Sequence, residues 1–157
     1  MEQNTPDFDQ DEELALDFTF QAPINQVFDA LTLPKHLKHW NCPNHLEITS
    51  AESTPEVGGN YSIRMTPQGS DGPEMMFVGT YLRINQPEVL SYTHAFSPGN
   101  DAPLTPETTI TIGLRQLDNE TVMEFRQTGF TNKQAFDGAR MSWPSIYENL
   151  SAYLENL

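Results

Sequence analysis

The chain has 157 residues, with 22 acidic against 8 basic side chains and a formal net charge of −14. That balance excludes a nucleic-acid footprint, which needs clustered Lys and Arg, and it argues equally against anionic membrane surfaces. A lone cysteine, Cys42, excludes an intrachain disulfide, and no run of eighteen apolar residues offers a membrane span.

Seven acids crowd the first seventeen residues. Residues 1–12 read as an acidic, flexible tail that aids solubility, with a docking tail for a basic partner as the sharper alternative. This opening has none of the features of a signal peptide, so a cytoplasmic protein is expected. Residues 13–157 read as one domain, and a chain of this size buries roughly 68–70% of its unfolded surface without needing a metal or a disulfide.

Within "ELALDFTF" (13–20) the even positions Leu14, Leu16, Phe18 and Phe20 are apolar, which predicts a half-buried strand. The period then changes. Ile24, Val27, Phe28 and Leu31 follow helical spacing over 22–32, and Pro23 suits a first turn. Pro34 ends that helix and opens a second short one, with Leu37 and Trp40 on its apolar side. Six strands are predicted next, over 45–52, 58–66, 74–84, 88–96, 108–117 and 121–128. The stretch "PQGSDGP" (67–73) makes a hairpin turn. Apolar residues on both faces of 74–84 suit either a dimer surface or the rim of a cavity. By strand parity Leu90, Tyr92, His94 and Phe96 share one face, as do Met123, Phe125 and Gln127; Glu124 and Arg126 face the other way as an outward pair.

The C-terminal region predicts a helix. Thr131 and Gln134 resemble a capping box, and Trp143, Ile146, Tyr147, Leu150, Tyr153, Leu154 and Leu157 form one apolar stripe. Pro144 predicts a kink or break near 138–142, because it removes the bond to the carbonyl of Arg140. Strands joined in succession predict an antiparallel sheet, and the last helix is the element long enough to cover one face. A bent sheet around a helix leaves room for a ligand.

In "HLKHWNCPNH" (36–45), His36, His39, Cys42 and His45 recur at every third position. The regular spacing does not make them converge, since the short helix ends before Cys42, and structural zinc sites usually draw ligands from two elements. No metal site and no cofactor are expected. Phosphate-loop, dinucleotide and nucleophile-elbow motifs are absent from the sequence. His94 is the one acid–base candidate, either a polar anchor or proton shuttle in a cavity, or a core histidine held by a single hydrogen bond.

The order of several short motifs carries a resemblance. These are "FTFQAPINQVFDALTLPKHLKHW", "VGGNYSIRM", "GTYLRINQPEVLSYT", and "QTGF" followed by "SWPSIYENLSAYLENL". From about residue 13 to 157 the chain resembles the START-like (SRPBCC) helix-grip superfamily, in the branch related to the C-terminal domain of the activator of Hsp90 ATPase. Phe20, Ala22, Pro23, Trp40, Gly58, Gly59, Gly79, Ile84, Pro87 and Leu90 match its pattern. Ser142-Trp143 stands where the family commonly has Gly-Trp.

The resemblance implies an α+β helix-grip (Bet v1-like) fold. A curved antiparallel sheet of six or seven strands would wrap the C-terminal helix around an apolar cavity. Members bind hydrophobic molecules, some catalyse cyclisation, and some are co-chaperone domains. The leading expectation is a non-enzymatic binder of a small hydrophobic ligand, aromatic, polyketide-like or acyl. The expected lining is Trp40, Tyr61, Phe77, Tyr81, Tyr92, His94, Phe125, Trp143 and Tyr147, with aromatics for contact area and His94 for orientation. The alternatives are an interaction module for a chaperone of the Hsp90 type and a cyclase-like enzyme using His94.

Overall fold

The computed structural model describes residues 12–69, 72–100 and 102–157. The predicted acidic tail, apart from Glu12, lies outside the described residues. Strand β1 (Leu14–Phe20) leads into helices α1 (Ile24–Thr32) and α2 (Pro34–Leu37). Six strands follow: β2 (Leu46–Ser53), β3 (Asn60–Pro67), β4 (Met75–Asn85), β5 (Val89–Ser97), β6 (Thr108–Leu117) and β7 (Glu120–Thr128). Helix α3 (Lys133–Glu155) closes the fold.

All seven strands form one antiparallel sheet in the order β1-β7-β6-β5-β4-β3-β2. Strands β2 to β7 pair with their chain neighbours through turns. The first strand instead returns to pair with the last, Leu14 opposite Gln127 and Phe20 opposite Thr121. The two short helices bridge the ends of β1 and β2, which lie at opposite edges of the curled sheet. This is the α+β helix-grip fold, with the seven strands that the periodicity predicts, where the resemblance implied six or seven.

Helix α3 lies across the concave face. Trp143, Ile146, Tyr147, Leu150 and Leu154 are its buried residues, spaced three and four apart as the stripe predicted. Each such burial stabilises by about 1.5–3 kcal/mol. The opposing face is built from alternate positions of the strands. Met123, Phe125 and Gln127 of β7 are buried while Glu124 is exposed. Gly79 of β4 faces Tyr61 across the ladder, and a Cβ there would sit 1.9 Å from the Thr93 carbonyl oxygen and 2.3 Å from the Tyr61 ring. Glycine therefore lets the Tyr61 ring lie flat over β4. On β4 itself, Met75 and Phe77 turn to the concave side and border the cavity described below, while Leu82 lies at a register shift and is about half exposed.

Three local expectations differ from the structure. Helix α3 runs unbroken from 133 to 155 with Pro144 inside it. The break predicted near 138–142 does not occur, because Arg140 lies on the solvent side, where water can hydrate its unpaired carbonyl, and the buried stripe on either side of Pro144 holds the axis. Pro144→Ala is expected to raise the unfolding free energy by about 2 kcal/mol by restoring that hydrogen bond. Urea denaturation checks this, and an unchanged or lower midpoint refutes it. The N-cap of α3 is Asn132 and not Thr131: the Asn132 side chain accepts from Ala135 N–H at 2.8 Å. Arg126 pairs with Asp17 at 3.3 Å and Glu13 at 3.9 Å and not with Glu124. Residues two apart on one strand are about 7 Å apart, whereas the neighbouring strand β1 brings its acids closer.

The short helices are fixed by contacts that come from elsewhere in the chain. Pro23 caps α1 without a side-chain bond, and the first helical N–H, of Ile24, donates instead to Gln116 Oε1 of β6 at 2.7 Å. Trp40, just after α2, donates its indole N–H to the Ala30 carbonyl at 2.9 Å and locks α2 to α1. Among the described residues, no helix is long and apolar enough to cross a membrane.

Candidate functional site

The cavity lies between the N-terminal half of α3 and the end of the sheet formed by β4 to β7. Its volume is about 570 Å³. Phe77 of β4, His94 and Phe96 of β5, Thr108 of β6 and Gln127 of β7 form the strand side. Phe130, Ala139, Trp143 and Ile146 form the other side, with Leu46 and Met75 at the flank. Exposed residues His45, Thr105, Pro106, Asn132, Gln134 and Ser142 ring the mouth.

Strand parity places His94, Thr108 and Gln127 side by side on the floor, and each is buried. The Trp143 indole N–H donates to Gln127 Oε1 at 2.8 Å. Gln127 Nε2 donates to Thr108 Oγ1 at 2.9 Å, and Thr108 Oγ1 donates to the His94 carbonyl at 3.1 Å. This chain spans three strands and the helix. Above it, His94 sits between Phe77 and Trp143, with ring centroids 4.8 and 5.3 Å away. Its Nδ1 lies 2.7 Å from the Tyr61 hydroxyl oxygen. Burial brings the His94 imidazole down to about 4, so it is neutral at physiological pH.

The nine residues nominated for the lining divide into two groups. Phe77, His94 and Trp143 border the cavity. Trp40, Tyr61, Tyr81, Tyr92, Phe125 and Tyr147 pack behind it and do not border it. Phe125 and Tyr147 back the Trp143 indole at 5.3 and 5.7 Å. Tyr61, Tyr81 and Tyr92 pack against one another at 5.4–6.0 Å and fill the interior beyond His94. Burial pushes the Tyr61, Tyr92 and Tyr147 hydroxyls up, so all stay protonated; neighbouring tyrosines add to the rise at Tyr61 and Tyr92, while a hydrogen bond with Tyr92 tempers it at Tyr147. Tyr81, also pushed up by burial, hydrogen-bonds Ser53 at 2.8 Å.

Gln127 and Thr108 were not nominated. Gln127 did carry a signal: it is the polar member of an otherwise apolar strand face, and such a residue needs a buried partner. Thr108 gave none, since it opens its strand after a polar loop.

The four side chains of residues 36–45 diverge. His36 Nδ1 lies 2.6 Å from the Tyr153 hydroxyl, and His39 stacks on the Tyr153 ring at 5.2 Å. The Cys42 thiol, pushed up by burial, points to the Leu46 carbonyl at 3.5 Å. His45 stands at the cavity mouth. Together with the bond from Asn149 to the Cys42 carbonyl at 3.2 Å, these contacts fasten α2 and the following loop to α3.

Comparison with known proteins gives a family and a fold. The family described as Activator of Hsp90 ATPase homolog 1-like protein matches residues 21–155. No curated protein matches the chain. A solution structure of a protein from Arthrobacter aurescens is 23% identical with a TM-score of 0.80, covering 96% of this chain and 91% of that one. Protein CV1439 from Chromobacterium violaceum is 24% identical with a TM-score of 0.78, covering 91% and 97%. CalU16 from Micromonospora echinospora is 18% identical with a TM-score of 0.65, covering 90% and 75%. At these identities the neighbours speak for the fold alone.

Proposed function

This chain belongs to the Activator of Hsp90 ATPase homolog 1-like family, and from that premise we propose that it binds a small hydrophobic ligand between the sheet and α3, without catalysis. The observation that carries the reading is the open cavity of about 570 Å³, apolar on its walls and polar at its floor and around its mouth. Ligand pockets commonly measure roughly 300–1,000 Å³ and have this division of labour. Phe77 and Trp143 supply flat contact area, and His94 orients a polar end. Tyr61, Phe125 and Tyr147 act one layer back by packing on His94 and Trp143, and Trp40, Tyr81 and Tyr92 back them in turn.

Titration of the ¹⁵N-labelled protein with a library of hydrophobic compounds tests this. At least one compound should shift the Trp143 indole signal together with the amides of Phe77, His94 and Gln127. A library that leaves all four unmoved sinks the reading.

The family's description favours a second reading, a module that engages a chaperone. Retention by an Hsp90-type chaperone in a pull-down, unaffected by Trp143→Phe, would support it over the cavity. A cyclase-like reaction is the third reading, and turnover that survives His94→Ala would remove its one nominated catalyst.

A further inference from the structure

We infer that the ligand of this cavity is uncharged and presents a hydrogen-bond-accepting oxygen, of the ketone or quinone kind, to an N–H on Nε2 of His94. The inference rests on the cavity reading and names what that cavity selects.

The first ground is charge. Among the described residues lining the cavity there is no Asp, Glu, Lys or Arg. A carboxylate or ammonium carried to the floor would lose its water and meet no countercharge. An excess of fourteen negative charges over the whole chain disfavours an anion further.

The second ground is the accounting of donors and acceptors on the floor. Gln127 spends its carbonyl on Trp143 and a proton on Thr108, and Thr108 spends its own on the His94 backbone. Each of these polar atoms therefore has a partner, with one amide proton of Gln127 to spare. Tyr61 is buried, and its hydroxyl makes one hydrogen bond among the described residues, to His94 Nδ1. If Nδ1 carried the ring proton, the Tyr61 hydroxyl would have to accept it, and its own proton would be buried without an acceptor. The arrangement that leaves nothing stranded has Tyr61 donating to Nδ1. The single proton of the neutral imidazole is thereby assigned to Nε2.

The third ground is access. Nε2 makes no hydrogen bond to the described residues. It is also not among the fully buried polar side-chain atoms without a partner, where Asn41 Oδ1 stands alone among the described residues. Nε2–H therefore opens onto the cavity that His94 borders. A donor at the floor of an apolar cavity selects an acceptor, and the aromatic walls of Phe77 and Trp143 select a flat body to carry it.

The test uses the full chain and three probes of one shape. Long-range ¹H–¹⁵N spectra of the free protein should show His94 as the Nε2–H tautomer. Isothermal titration at neutral pH should rank 2-acetylnaphthalene about tenfold tighter than 2-ethylnaphthalene, which lacks the oxygen, with ionised 2-naphthoate weakest. His94→Leu should erase the preference for the ketone; the tautomer and the ranking stand without this variant if it fails to fold. An Nδ1–H tautomer, equal affinity for ketone and hydrocarbon, or naphthoate as the tightest probe overturns the inference and leaves the cavity reading intact. No binding by any of the three overturns the inference and, with a silent library, the cavity reading beneath it.

Discussion

Trp143→Ala is expected to lower the unfolding free energy by about 4 kcal/mol, the largest effect of any single substitution considered. The indole is 5% exposed and meets Phe77, His94, Phe125 and Tyr147, all with ring centroids within 6.1 Å. Truncation removes those contacts and widens the cavity, which cannot collapse because the sheet on the far side is held by its own ladder. It also strips Gln127 Oε1 of its donor at a buried site, a separate cost of about 1–3 kcal/mol unless water enters. Trp143→Phe keeps an aromatic ring but not the N–H, and should cost about 2 kcal/mol. Met141, two residues away and 77% exposed, provides the control: Met141→Ala should stay within about 0.5 kcal/mol. Urea denaturation of the three variants separates these values. A loss under about 1 kcal/mol for Trp143→Ala would mean that the indole does not bridge helix and sheet as described.

Acid should destabilise the protein through His94 well before the carboxylates titrate fully. Burial brings its folded value down to about 4, against 6.5 for the exposed ring of the unfolded chain. As pH falls below 6.5 the unfolded chain takes up this proton and the folded chain does not, so unfolding is progressively favoured. The stability that neutral His94 contributes is fully present above pH 6.5 and is lost on the way down to about pH 4. The full loss is about 3 kcal/mol. Carboxylates add their own pH dependence, so the quantity to read is the difference from His94→Gln, which cannot titrate. Between pH 7 and pH 4 the wild type should lose about 3 kcal/mol more than the variant. The ring protons of His94 should titrate near pH 4 by NMR; a midpoint above 6 would remove this prediction.

The local reading of the chain failed where a partner came from far away in sequence. Pro144 forbids one hydrogen bond in any isolated helix, but the buried stripe from Trp143 to Leu154 outweighs that loss once the sheet is present. Gln116 caps α1 from β6, a contact between residues more than ninety positions apart. Arg126 finds its acids on β1 because the first and last strands pair. None of these is visible to a periodicity or a capping motif, which report on neighbours along the chain.

What the amino-acid sequence determined by itself was the kind, order and inward face of nearly every element. Periods of two and of 3.6 in the apolar residues follow directly from strand and helix geometry, and they marked Gln127 as a polar residue on an inward face before any partner was known. Only the tertiary structure decided where the interior is full and where it is open. Tyr61, Tyr81, Tyr92 and Tyr147 all face inward, as parity and helical spacing require, yet their rings fill the space beyond His94, while Phe77, His94 and Trp143 are left at the edge of a void. Inward direction is a property of one strand or helix. Whether inward-pointing rings meet or leave a gap depends on the curvature of the sheet and the seating of α3, which are set by contacts between elements that share no local sequence.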